Sequence, residues 1–215
     1  MQGFNQIPSL TDLQQYNVNR ADAVEAVYGN LYDTLTTAAL GQTQLQFFQT
    51  PKGQNGKTLA DTNMTVAGQL PAPQSFLVMS IELYFVPGDA VSIHGAAAAN
   101  AYVQDVLSFY TGKAWLELFI GSKAYVDESP LMKFPPRCGL GGFAALSDAT
   151  TPAAAGATQI GYAQASGPIY ELNPPILLVP NQNFNVTLNW PVAIPLTVAG
   201  AVTVNMSGIL YRNSQ

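Results

Sequence analysis

The chain has 215 residues, 48% of them hydrophobic and only 10% charged, with a formal net charge of −5. Ordinary soluble domains carry about 25% charged residues, so Gln, Asn, Thr and Ser supply most of the polarity here. The 8 Lys plus Arg do not cluster, and phosphate backbones require concentrated positive charge, so direct nucleic-acid binding is not expected. Nor is there a basic N-terminal arm, because the first Lys or Arg is Arg20. Copies with so few charges repel one another weakly, which favours permanent association. A secreted β-protein rich in neutral polar residues would have the same composition. The single cysteine, Cys138, excludes an intrachain disulfide. The chain opens Met-Gln-Gly without a charged or apolar leader, so it reads as made and assembled in a reducing cytoplasm. No run has the length of a membrane-spanning helix; the nearest, Phe76–Val86, is short and is broken by Ser80 and Glu82.

Met1–Asn19 is polar, with Phe4, Ile7, Leu10, Leu13 and Tyr16 scattered at helix-like spacing or along an arm. Arg20–Leu35 predicts a helix, with Val24, Tyr28, Leu31 and Leu35 on one face and Asp22 and Glu25 near its N-terminus. Gly29 opposes that reading, and Thr-rich Tyr32–Leu40 could instead be the first strand. Leu45–Gln49 predicts a strand ending at Pro51. Pro51–Gln74 is mostly loop, with a possible short strand at Met64–Val66. Phe76–Val86 predicts a strong strand whose core face is Leu77, Met79, Ile81, Leu83 and Phe85. Tyr102–Tyr110 and Trp115–Ile120 predict two strands joined through Thr111-Gly112-Lys113, and Gly121-Ser122-Lys123 is a second turn before Ala124–Val126. Met132–Pro136 should be extended. Arg137–Tyr162, rich in Gly, Ala and Thr, reads as a long loop of the functional or interfacial kind.

The C-terminal stretch carries the clearest signal. Ile169–Leu172 enters it and Ile176–Val179 is a short apolar run. Phe184, Val186, Leu188 and Trp190 alternate with polar residues, as do Val202, Val204 and Met206, the run continuing through Ile209–Tyr211. Asn181-Gln182-Asn183 is turn chemistry. About eight strands with turn signals between them predict an all-β fold, an antiparallel β-sandwich of jelly-roll type. A single roll is preferred to a double one for a chain of this length. Residues 1–40 form an N-terminal arm and helix, and residues 41–215 the sandwich.

No residue set carries catalysis, a cofactor or a metal. Gly53–Thr58, GQNGKT, resembles a phosphate loop, but Pro51 stands where the pattern needs its first glycine, so an exposed loop tip is the better reading. His94 is the only histidine, so with one cysteine no His/Cys metal site forms within a chain, and no G-x-S-x-G elbow seats a nucleophile. Asp127 and Glu128 are adjacent on an extended chain and point to opposite faces, which suits a solvated turn rather than acid–base work. The tripeptides beginning at Asn63, Asn185 and Asn205 match the glycosylation pattern but carry no weight without a leader.

Phe47–Gly88, FFQTPKGQNGKTLADTNMTVAGQLPAPQSFLVMSIELYFVPG, resembles coat proteins of small tailless icosahedral bacterial viruses. Trp115–Leu131 and Pro174–Pro191 are similar in style to the same group. The resemblance implies a virion structural protein without enzyme activity. It would be the major capsid protein, built from jelly rolls into homo-oligomers, often trimers, that tile a shell with other capsid proteins after assembly in the host cytoplasm. The alternative is a carbohydrate-binding module, lectin-like or adhesin, stacking sugars on Trp115 or Trp190, although both tryptophans also fit core strand positions.

Overall fold

The structure is a computed structural model. It describes residues 24–39, 42–87, 105–106, 108–110, 112–135, 140–146, 159–164, 169–194, 196 and 199–213, with 24, 140–146, 159–164 and 213 described by backbone alone. Ten strands run through these residues. They are β1 (Val24–Thr37), β2 (Gln44–Phe47), β3 (Ser75–Pro87), β4 (Trp115–Ile120), β5 (Lys123–Pro130), β6 (Leu140–Leu146), β7 (Gln159–Gln164), β8 (Glu171–Leu178), β9 (Phe184–Asn189) and β10 (Gly200–Asn213). Eight form two four-stranded antiparallel sheets, in the orders β1-β10-β3-β8 and β2-β9-β4-β5, and β6 pairs with β7 apart from them.

The pairing is nested. β4 and β5 form a hairpin across Gly121-Ser122. Outside it β3 pairs with β8, β2 with β9, and β1 with β10. Two further ladders, β10 with β3 and β9 with β4, join these pairs into sheets. Alternating apolar residues put Phe76, Ile81, Leu83, Val202 and Val204 of the first sheet and Leu45, Phe47, Leu116, Leu118 and Val186 of the second into one shared core. Each such side chain, fully buried, stabilises the fold by roughly 1.5–3 kcal/mol.

Several sequence expectations are corrected. The helix expected over Arg20–Leu35 is, from Val24 onward, β1, which pairs with β10 along its whole length without a register break; residues 20–23 lie outside the described residues. Leu31, Asp33 and Thr37 alternate as buried positions. A carboxylate at one of them hid the period of two. Tyr102–Tyr110 is not a strand: residues 105–106 and 108–110 are helical. Val106 and Phe109, three apart, are the buried apolar pair, and that spacing belongs to a helix face. Leu131–Lys133 forms a 3-10 turn, so the extended chain expected over Met132–Pro136 does not hold at Met132 and Lys133. The loop expected over Arg137–Tyr162 contains β6 and most of the strand β7 that pairs with it. Sheet hydrogen bonds come from the backbone, and Gly and Ala give a strand little side-chain signature.

The core face of β3 is also corrected. Phe76 and Val78 face the shared core, then Ile81, Leu83 and Phe85, while Leu77 belongs to a separate cluster with Ile209 and Tyr211, with Met79 packed against it. The switch occurs at a bulge: Val78 pairs with Gly208 and Ser80 with Ser207, leaving Met79 as an extra residue. The three C-terminal strands are shared between the two sheets. β8 and β10 lie in the first sheet and β9 in the second. The expected turn at Asn181, with its positive φ of 58°, therefore carries the chain from sheet to sheet.

Candidate functional site

The connections sort into two ends. The link from β2 to β3, the β4–β5 turn and the link from β8 to β9 gather at one end. Those leading into β2, β4, β8 and β10 from the preceding strands of the two sheets leave the other.

The first end is knitted together by backbone hydrogen bonds. Gly68 N–H donates to Phe48 O (2.7 Å) and Phe184 N–H to Gly68 O (2.8 Å). Asn181 N–H reaches Leu70 O (3.0 Å) and Gly121 N–H reaches Asn183 O (2.7 Å). Gly68 has φ of +59°, and an added Cβ there would stand 3.2 Å from Phe184 O. These contacts tie distant parts of the chain to one another and satisfy their backbone groups at this end.

The loop after β2 also seals the outer edge of β1. Thr34 N–H donates to Asp61 O (2.8 Å) and Tyr32 N–H to Asn63 Oδ1 (3.0 Å). Asn63 Nδ2 donates to Asn30 O (2.7 Å), Thr62 Oγ1 to Tyr32 O (3.0 Å), and the Tyr32 hydroxyl to Leu59 O. Within the loop, the Thr58 N–H and hydroxyl hold the Asp61 carboxyl below its ordinary pKa. The fastening is ionic. Asp33 is fully buried; its Oδ2 accepts the Phe48 N–H at 2.6 Å and its Oδ1 the Lys57 ammonium at 2.5 Å. Gly53–Gly56 is an exposed tip, as expected, but Lys57 is not part of it: its side chain is only 12% exposed and is committed to Asp33. A lysine held by a carboxylate is a structural lysine rather than a phosphate ligand.

At the opposite end an aromatic cluster closes the core. Phe109 stacks on Phe85 with ring centroids 4.2 Å apart and meets Trp190 edge-on at 5.5 Å. Trp190 is buried at 3% exposure, so it packs the core and cannot present its ring to a sugar; Trp115 is half-buried on β4. The Tyr110 hydroxyl donates to Leu83 O at 3.0 Å. Burial pushes its pKa up to about 12, with the Phe85 backbone pulling it partly back. The folded pKa lies above the ordinary 10.0, so this contribution to stability is complete below pH 10 and is lost as pH rises toward about 12. Urea midpoints measured across that window should fall further in the wild type than in Tyr110→Phe, and equal falls would contradict the assignment. Met132 and Val192, 69% and 74% exposed, are apolar side chains in connections at this end.

The outer face of the second sheet carries a polar network rather than a reaction centre. Glu117 Oε2 accepts from Asn189 Nδ2 at 2.7 Å and from the Thr187 hydroxyl at 3.2 Å, and Asn189 Oδ1 accepts from Gln44 Nε2 at 2.9 Å. Asp127 and Glu128 are exposed on β5, on strand rather than in a turn. Among the described residues no group of three His, Cys, Asp or Glu could hold a metal ion, and no helix is long and apolar enough to cross a membrane. His94 and Cys138 lie outside the described residues. The sequence signal missed Asp33 and Lys57 as partners, because nothing in linear spacing joins a strand carboxylate to a loop ammonium. Compared with family models and with curated proteins, the chain matches none.

Proposed function

We propose that this chain is a self-assembling coat subunit, a virion structural protein of single jelly-roll type whose oligomers tile an icosahedral shell. The observation that carries the reading is the strand order. With β6 and β7 treated as an insertion between β5 and β8, eight strands remain, nested in four antiparallel pairs about the β4–β5 hairpin. Such a ribbon, rolled so that β10 meets β3 and β9 meets β4, supports the jelly-roll reading, because two Greek keys need this nesting. Jelly rolls serve viral capsids, lectins and cupins. The cupin reading needs a metal-bearing interior, whereas Phe47, Phe76, Leu116 and Leu118 fill this one. The lectin reading loses Trp190 to the core.

The coat reading also draws on the low charge, which permits close tiling, and on the resemblance of Phe47–Gly88 to coat proteins of tailless bacterial viruses. On this reading the subunit is no enzyme. Its partners are its own copies, as trimers, and other capsid proteins, and it does not contact the genome directly. Light scattering of the purified protein, followed by negative-stain microscopy, should find trimers, sheets or closed particles. A monomer that persists at high concentration across a range of salt would overturn the proposal.

A further inference from the structure

An exposed sheet edge is a template for another strand unless it is blunted. Among the described residues the two four-stranded sheets have four edges, on β1, β8, β2 and β5. β2 is only four residues long. β5 is kinked by register shifts and carries Lys123, Asp127, Glu128 and Pro130. β8 holds Pro174 and Pro175, which cannot donate, and skips pairing between Ile176 and Glu171. β1 is sealed by the loop after β2, but only from Asn30 to Thr34.

The earlier part of β1 differs. In an antiparallel strand the N–H and C=O of one residue point to the same side, and the next residue's point to the other. Asn30, Tyr32 and Thr34 all give their backbone groups to the loop. The unbroken register with β10 extends that parity to Ala26. Its N–H and C=O therefore face away from the sheet, and no described residue pairs with them. Glu25, Ala26 and Val27 are all exposed, and the Glu25 carboxylate is held by Arg212 at 2.9 Å.

We propose that β1 of a second copy docks here, antiparallel, about a two-fold axis through Ala26. The pairing sets Ala26 against Ala26, small against small, and Glu25 against the other copy's Val27, so no like charges meet across it. The contact is isologous and closes on itself. It rests on the reading of the chain as self-associating and names one contact that such a shell would use.

The test is cysteine cross-linking in a Cys138→Ser background. Ala26 and its copy would exchange both backbone hydrogen bonds, which sets their Cα atoms about 5.5 Å apart, within disulfide range. Ala26→Cys should oxidise to a reducible dimer at least about tenfold more abundant than the dimer of Val27→Cys, whose thiols would be offset and on the other face. Trimers or particles without that cross-link would overturn this contact and leave the shell reading standing. The cross-link in a protein that stops at dimers would support the contact and overturn the shell. Neither assembly nor cross-link would overturn both.

Discussion

Gly208→Ala should lose most of its folded protein. Gly208 sits on β10 at the bulge in β3, and a Cβ there would lie 1.9 Å from Leu77 O and 2.9 Å from Leu77 C. Both are backbone atoms of a central strand, so no side chain can rotate aside. Either the β10–β3 ladder opens or the bulge is expelled. Expelling it would put Leu77 and Met79 on the wrong face, since the bulge is what lets β3 serve two apolar clusters. Overpacking in a well-packed interior commonly costs about 1–3 kcal/mol, and a clash with fixed backbone belongs beyond that range. We expect at least about 3 kcal/mol, read from urea denaturation or as loss of soluble yield. Gly29→Ala is the control. Gly29 pairs directly with Gly208, yet nothing lies within 4 Å of its added Cβ. That variant should stay within about 1 kcal/mol of wild type, or gain slightly through lower unfolded-state entropy. Equal stability of the two variants would show that the close approach at Leu77 is not as described.

Lys57→Met should be nearly as damaging. It leaves the Asp33 carboxylate fully buried with only the Phe48 N–H as partner in place of its ion pair. Breaking a buried pair by removing one member costs roughly 3–5 kcal/mol, because the other charge stays behind without compensation. The double variant Asp33→Asn/Lys57→Met should recover most of that loss, since a neutral amide can still accept the Phe48 N–H. Denaturant midpoints for wild type, both single variants and the double form a cycle whose coupling term isolates the pair. The loop should report the same event locally: with the fastening gone, protease cleavage at the exposed Gly53–Gly56 tip should accelerate. If Lys57→Met lies within about 0.5 kcal/mol of wild type, the ion pair does not anchor the loop.

The strands easiest to read in the sequence were those that obey one rule throughout. β9 alternates polar and apolar without exception, and β4, apolar but for Glu117, alternates in burial. The strands that were misread are those where tertiary structure overrides local pattern. β1 carries Asp33 on its core face because a lysine from a distant loop neutralises it. β3 changes face at a bulge whose cause, Gly208, is far away in sequence. β6 owes its pairing to backbone rather than side-chain character. The same reason kept the candidate contacts out of view. The direction in which Ala26 presents its peptide groups follows from hydrogen bonds at Asn30 to Thr34, and these depend on how the loop after β2 folds back.

The nested pairing also bears on the timing of synthesis. Val24, at the start of β1, finds its partner in Asn213, almost at the end of the sequence. β1 is therefore translated early yet stays without its ladder until β10 has emerged, and β2 and β3 wait in turn for β9 and for β8 and β10. Such non-local topologies fold slowly, and a nascent chain that holds unsatisfied strands is prone to aggregate. On the ribosome the β4–β5 hairpin is the first of the nested pairs that can close, so the structure would grow outward from it, with the β1–β10 ladder closing last.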